Sequence, residues 1–532
     1  MENNQRPVII MPEGTTREVG SQAKSNNIMA GKILADVLKT TLGPRGMDKM
    51  LVNTIGDVKI TNDGSTILKE IEPDHPAAQM IVDASKEQET NVEDGTTTVV
   101  VLTGELLKQA EKLLDEGIST STILKGFKDA TIKAKEVLND ISITDIKKEN
   151  LVKIATTSMK GKGPKYDIEQ IAEKLVEELL KVEKDGNINK DQIKLRKIHG
   201  ESMESTEITE GVVVDKNVLE SEMPKDVKNA KIALLQYPLD VKDLSNKAKI
   251  KITDPEELET YVKQEENLQK EEVDILANAG VNVLFCQKKI SDISQHFLTK
   301  AGILSAKRVK NKDLERLSQA TGAEIVNNIH ELTEDDLGTA GHVYEKEVFE
   351  DTEYIFIEEC KNPGTISIIV KGTTKVVTDQ LEQAINDAIG AVSATLRNKK
   401  AIPGGGASDM AMAKQIKEYA NTIGGKKQMA IIGFAQALEE LPKALAHNAG
   451  LNTIDIMVQL KAAQTKSTNM GINVLTGNVS DMLEESILES TEVKDHILDS
   501  ASEVTEQILR IDDVLAAQKQ APVGGDVGSP MM

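Results

Sequence analysis

Apolar positions fall at helical spacing along both ends of the chain and in short strand-like runs through its middle third. From Ser25 to Thr40, Ile28, Met29, Ile33, Leu34, Val37 and Leu38 recur at three- and four-residue intervals, and the pattern stops at Gly43-Pro44. A helix therefore feeds a glycine-bearing loop. The segment DVKIT that follows predicts a short strand, Asn62-Asp63-Gly64 a tight turn, and Ser65 the cap of the next helix. A helix from Pro76 to about Thr90 then reaches a second punctuated loop, Glu93 to Thr98, which opens into the apolar helix VVVLTGELLKQAEKLL.

The middle third alternates β-rich runs (KIALLQ, VNVLFC, AEIV, YIFIE, TISIIVK) with helical stretches, the signature of an α/β domain with its own sheet. Within it, Glu256 to Asn278 predicts a strongly charged helix. Its apolar positions Leu258, Val262, Leu268, Ile275 and Leu276 are too sparse for full burial, so a solvated surface helix is expected. After Lys371 the pattern is helical again. It breaks at Pro403-Gly404-Gly405-Gly406, then continues through helices to Leu515, ahead of a tail, GGDVGSPMM, expected to be disordered. No repeat of solenoid length is visible.

Composition narrows the function classes. A length of 532 residues suggests three or four domains at roughly 150 residues each. With 39% hydrophobic residues but 2% aromatics and no Trp, the cores must be built from Ile, Val, Leu, Ala and Met. A net charge of -22, without a Lys/Arg cluster, argues against a nucleic-acid surface, although free nucleotides can be held by backbone N–H groups and a divalent metal. Cys286 and Cys360 each close an apolar run without C-x-x-C spacing and read as buried strand thiols. The seven histidines do not pair at zinc-ligand spacing. The N-terminal stretch has no long apolar core and no run approaches a membrane span, so a cytoplasmic protein is expected.

Four glycine-bearing loops could carry chemistry: Leu42-Gly43-Pro44-Arg45-Gly46, Asn62-Asp63-Gly64, Asp94-Gly95-Thr96-Thr97-Thr98 and Gly404-Gly405-Gly406. Glycine lets a backbone approach a phosphate, and a helix N-terminus supplies N–H donors and a positive dipole end. The third loop adds a carboxylate suited to Mg²⁺ and three hydroxyls; an ordinary Asp and Thr cap explains it equally well. No G-x-x-x-x-G-K-[ST] sequence is present, which excludes a P-loop ATPase, and the protein-kinase motifs are missing. A base for water attack would be a carboxylate from elsewhere in the chain. Asp387, in LEQAINDAIGAV, is one of many acidic residues on predicted helices, and periodicity alone cannot select it.

The strings TLGPRGMDKML, TNDGSTILKE, EDGTTTVVVLTGELL, PGGGA, NAGLN and ILRIDDVLAA, in this order, closely resemble the group II chaperonins, the archaeal thermosome and the eukaryotic cytosolic chaperonin. The likeness runs from about Ser21 to Ala517. It implies a multidomain α and α/β subunit: a mostly helical equatorial domain from both chain ends (1–146 and 404–520), a small α/β intermediate hinge domain (147–216 and 370–403), and an inserted α/β apical domain (217–369), with 521–532 as a disordered tail. The charged segment at about 242–272 resembles the helical protrusion that acts as a built-in lid, in place of the surface-helix reading. Two stacked rings of identical or paralogous subunits would enclose non-native client proteins, with no separate co-chaperonin, no nucleic acid and no membrane.

The same resemblance implies ATP and Mg²⁺ as cofactors and admits K⁺. Leu42, Gly43 and Pro44 match the loop along the phosphates, Asp94 the magnesium ligand, and Gly95, Thr96, Thr97 and Thr98 the β- and γ-phosphate cradle. Asn62, Asp63 and Gly64 match a second acidic turn beside the γ-phosphate and the attacking water. Asp387 matches the catalytic Asp that orients or deprotonates that water, and Lys162 resembles a γ-phosphate sensor. Gly405 and Asn473 should flank the ribose and adenine, with Glu489 on the ribose. Three positions depart from the family pattern: Glu93 precedes Asp94 where Gly is usual, Gln383 replaces an Arg, and Ser490 follows Glu489 where Pro is common. The competing expectations are a ring subunit that binds nucleotide without appreciable turnover and a monomeric small-molecule kinase, which the missing motifs disfavour.

Overall fold

The computed structural model describes residues 16–53, 55–160, 168–240, 255–362 and 364–516. Lys162, the 242–254 part of the expected lid and the 521–532 tail lie outside the described residues. The chain separates into two compact units, one made of both chain ends (Met1–Ile146 and Asn398–Met532) and one of the segment between them (Lys147–Arg397).

The first unit is a helical bundle. Helices Ser21–Lys39 and Thr96–Asp115 approach closely because each carries a glycine at their contact: a Cβ on Gly104 would lie 2.1 Å from Ala35 Cβ, and one on Gly31 would lie 2.5 Å from Leu107 Cδ1. Helices Thr120–Asp140, Ala407–Ile423, Gly425–Asn448 and Thr491–Arg510 pack around that pair through Phe127, Ile431, Phe434, Leu438 and Leu498, all buried. Lys39 knits three helices, with its ammonium 2.7 Å from Glu105 and 3.0 Å from Glu440. Burial disfavours that charge, but the two carboxylates outweigh it and raise the lysine pKa.

Among the described residues, four two-stranded ribbons decorate the bundle. In one, Thr16–Val19 pairs antiparallel with Asp513–Ala516, joining the two ends of the described chain. This corrects the expectation of helix as far as Leu515. The last long helix stops at Arg510, and Asp513–Ala516 is extended because a strand partner almost 500 residues away offers it ladder hydrogen bonds. A second ribbon is the hairpin Lys49–Val52/Val58–Thr61, which leaves Met50, Val52 and Val58 exposed.

Among its described residues the second unit holds two sheets. A three-stranded sheet has Ile366–Gly372 at its centre, buried along its whole length, between Ile193–His199 (parallel) and Glu207–Glu210 (antiparallel). The seven-stranded sheet runs in the order Val212–Val214, Thr352–Cys360, Gly338–Phe349, Asp226–Leu235, Val283–Cys286, Leu304–Ala306, with Ile325–Val326 also paired to Asp226–Leu235. Its core includes Ile232, Leu234, Phe285, Leu298 and Leu317. Helix Pro255–Asn278 is exposed all round from Lys263 to Leu268, whereas Val273 and Leu276, near its C-terminus, pack into that core. Cys286 is buried in its strand and Cys360 half-buried at the end of its own; both thiols are free.

Candidate functional site

Within the first unit, the glycine loops are placed by the helices they interrupt. Beyond helix Ser21–Lys39, the carbonyls of Lys39 and Leu42 accept hydrogen bonds from Asn448 Nδ2, each at 2.9 Å, which satisfies acceptors that a helix end leaves open. Gly43 has φ +80°, and a Cβ there would lie 2.3 Å from Leu445 Cδ2. One turn earlier on that same helix Gly425–Asn448, Pro442 fills the place where a Cβ on Gly406 would come to 2.6 Å. The first loop and the Gly404–Gly406 turn therefore rest on neighbouring turns of one helix.

The acidic turn is built differently from the expectation. Ser65 lies inside the first turn of helix Gly64–Ile71, and Asp63 is the cap: its Oδ2 accepts from Thr66 N at 2.8 Å and from Ser65 Oγ at 2.9 Å. Asp wins because its carboxylate reaches the N–H three residues on while its backbone stays extended. Gly64 then meets the next loop directly. A Cβ there would lie 2.6 Å from Thr97 Oγ1 and 3.0 Å from Thr97 Cα. The Asn62-Asp63-Gly64 turn and the Asp94–Thr98 loop thus pack in contact, with Asn62 and Asp63 buried.

Helix Thr96–Asp115 begins at Gly95, whose φ of +80° puts a left-handed residue at the cap position and offers no side-chain acceptor to the first-turn N–H groups; that turn carries no acidic residue. Asp94 stands one residue outside the helix, its Oδ1 accepting from Gly95 N at 2.7 Å. A 20-residue helix with such a terminus is electrostatically suited to an anion. Glu93, in the left-handed region at φ +56°, closes the preceding helix Pro76–Val92.

The Gly404–Gly406 turn carries the hairpin Met470–Asn473/Asn478–Asp481, since Ile472 N donates to Gly405 O at 2.9 Å. Asn473 is buried and shapes that hairpin's turn, with Oδ1 accepting from Leu475 N and Thr476 N and Nδ2 donating to Glu485. Glu489 pairs in register with Ile402, and a Cβ on Gly404 would lie 2.9 Å from its Oε1. Ser490 is the cap residue of helix Thr491–Arg510.

Two residues that sequence reasoning missed stabilise this corner. Lys494 and Asp409 form a buried ion pair at 3.2 Å, and Lys494 also lies 3.4 Å from Glu489. Burial opposes the ammonium, but Asp409 and Glu489 outweigh it and raise its pKa. The Glu489 carboxyl is itself pushed up by burial, against Lys494, with Asp409 and Asp94 adding repulsion. The pattern held a signal: Lys494 shares one helical stripe with Ile497, Leu498 and Ala501, and Asp409 another with Met412, Ala413 and Ile416. A charge at a core position of each helix, of opposite sign, marks a buried pair.

Asp387 belongs to the second unit, in the middle of helix Lys375–Asn398, where it is 9% exposed, unlike the solvated acid that helical periodicity alone would favour. Gln383 lies on the same helix, one turn earlier.

The carboxylates of the two loops suit a hard cation that takes oxygen ligands. Among the described residues no cluster of three or more His, Cys, Asp or Glu side chains could cage an ion. Mg²⁺ typically takes one or two carboxylates together with substrate phosphates. Asp63 and Asp94 sit on two loops that meet where Gly64 lacks a Cβ against Thr97, and they supply carboxylates of that kind.

Residues 34–519 match the TCP-1/cpn60 chaperonin family. Thermosome subunit alpha of Methanothermobacter thermautotrophicus is 47% identical over 529 residues, covering 99% of this chain and 96% of that protein. Subunit beta of the same organism is 47% identical over 539 residues, covering 100% of both. The thermosome subunit of Methanopyrus kandleri is 48% identical over 521 residues, covering 97% and 95%.

Proposed function

The chain belongs to the TCP-1/cpn60 chaperonin family, and we propose that it is an ATP-hydrolysing subunit of a double-ring, group II type chaperonin that encloses non-native proteins in the cytoplasm. The observation that carries the nucleotide reading is the contact of Gly64 with Thr97, which joins an acidic turn to a glycine-started helix N-terminus. Leu42, Gly43 and Pro44 would run along the phosphates, and the N–H groups and hydroxyls of Gly95, Thr96, Thr97 and Thr98 would hold their charge. Asp94 would hold Mg²⁺, which when bound neutralises phosphate charge. Asp63 would orient the attacking water, Asp387 would accept its proton, and Lys162 would sense the γ-phosphate. Gly405, Asn473 and Glu489 would border the nucleoside.

Assembly has its own support. Among the described residues, the hairpin Lys49–Val52/Val58–Thr61 and the ribbon of Thr16–Val19 with Asp513–Ala516 are each two strands wide, and they expose Met50, Val52, Val58, Val19 and Leu515. Exposed apolar ribbons with open edges are suited to neighbouring copies. No helix among the described residues is long and apolar enough to cross a membrane. Purified protein should hydrolyse ATP in the presence of Mg²⁺ and form stacked rings by electron microscopy. Asp387→Ala should keep nucleotide binding while turnover drops by about 10²–10⁴-fold, the range for loss of a general base. Undiminished turnover in that variant would remove Asp387 from the role.

A further inference from the structure

Resting on the nucleotide reading above, we propose that Gln88 and His496 form a positioning pair that fixes the orientation of Asp94 toward its metal. Gln88 is 0% exposed on helix Pro76–Val92, an amide placed on the stripe otherwise formed by Ile81, Ala84 and Val92. Its Nε2 donates to the Asp94 carbonyl at 2.8 Å. The peptide unit that carries this carbonyl also carries the Gly95 N–H, which donates to Asp94 Oδ1 at 2.7 Å. Because the peptide is planar, a side chain that holds one end of it sets the direction of the other. Gln88 therefore acts on the carboxylate through four rigidly linked backbone atoms. The glycine is needed for this approach, since a Cβ at residue 95 would sit 3.1 Å from Gln88 Nε2 and 2.7 Å from Ile497 Cδ1.

The far end of the amide is anchored by the imidazole. A carbonyl can only accept, so the nitrogen of Gln88 must face Asp94 and its Oε1 must face His496, whose Nδ1 lies 2.6 Å away. That contact requires the proton on Nδ1. Nε2 is then the acceptor in the neutral ring, and Asn91 Nδ2 stands 3.1 Å from it as donor. Ser500 Oγ, 3.2 Å from Nδ1, shares that proton as a second acceptor, so one tautomer satisfies all three partners and the amide cannot flip without breaking two hydrogen bonds. His496 thus links helix Thr491–Arg510 to the Asp94 loop through Gln88, across 408 sequence positions.

The test uses the full-length protein and titrates ADP by calorimetry with and without Mg²⁺, so that binding rather than turnover is read. His496→Ala and Gln88→Met should weaken binding of ADP with Mg²⁺ by about 10–100-fold, the range for outer-shell partners of a metal site, and leave metal-free ADP binding unchanged. His496→Asn, whose amide can donate from nearly the position of Nδ1, should restore most of the affinity. Equal losses with and without Mg²⁺, or no loss in either variant, would overturn the pair's role. Failure of the unmodified protein to bind ADP at all would instead refute the nucleotide reading. Thermal melting without nucleotide separates a folding defect from loss of positioning, and His496→Asn keeps the test decisive if the alanine variant does not fold.

Discussion

The contact between Gly64 and Thr97 can be tested by adding one methyl group. Gly64 does not have a positive φ, so alanine has no backbone strain to overcome there, and any penalty comes from space alone. The new Cβ would meet Thr97 Oγ1 at 2.6 Å, Thr97 Cα at 3.0 Å and Thr97 N at 3.1 Å. Only the first of these atoms can rotate away. The others are backbone of the first turn of helix Thr96–Asp115, so either that turn or the Asp63 turn must move. Overpacking of this kind typically costs about 1–3 kcal/mol. At roughly 2–4 °C per kcal/mol for domains of this scale, Gly64→Ala should lower the melting temperature by about 2–12 °C. Calorimetry of the variant should also show weakened ADP binding, because the two loops can no longer close on one ligand. Thr97→Ala in the same chain should recover only part of the loss, since it removes one of the three contacts. Gly117→Ala is the contrast: that glycine has open space around it and φ +78°, so its penalty is conformational and should leave ADP affinity unchanged. A Gly64→Ala protein that melts within about 1 °C of the parent and binds ADP equally well would refute the proposed packing of the loops.

Two further outcomes follow from the second unit. Lys194 is buried with its ammonium 2.6 Å from Asp313, and Arg196 reaches the same carboxylate at 3.3 Å; burial pulls the lysine pKa down to about 8 despite Asp313. Asp313→Asn should therefore cost about 3–5 kcal/mol, read by denaturant melting, while Lys194→Met with Asp313→Leu should recover much of it; an Asp313→Asn protein of parental stability would contradict this. Burial also pushes the Cys286 and Cys360 thiols up from 9.0 to about 11 and about 12. Because folding favours the protonated thiols, their contribution to stability is complete below about pH 9 and declines as pH rises through 11. Iodoacetamide at pH 8 should label the native protein negligibly and the unfolded protein at both sites; rapid native labelling would show the thiols to be accessible.

Local signals were legible in the sequence and distant pairings were not. The apolar spacing of Ile28, Leu34 and Leu38 was enough to locate the first helix, since burial of a periodic face depends on neighbours three and four residues away. Asp63 and Ser65 compete for the same cap, and only the extended backbone of Asp63 decides between them. The strand Asp513–Ala516 could not be found from its own residues, because its ladder partner begins at Thr16. Gln88 and His496 have no spacing signature at all, although an amide on the apolar stripe of helix Pro76–Val92 was a visible anomaly. The buried Lys494–Asp409 pair was likewise detectable only as two charges out of place.

Threading about 250 residues of the second unit between the halves of the first has a consequence for synthesis on the ribosome. At about 5–20 residues per second, the leading half of the helical bundle emerges roughly 10–50 s before the trailing helices that cover Val100, Leu106 and Ile123. The inserted unit is contiguous and can mature during that delay, while the nascent leading half waits with unburied apolar faces. Completion comes last, when the strand around Val514 leaves the exit tunnel and zips onto Glu18.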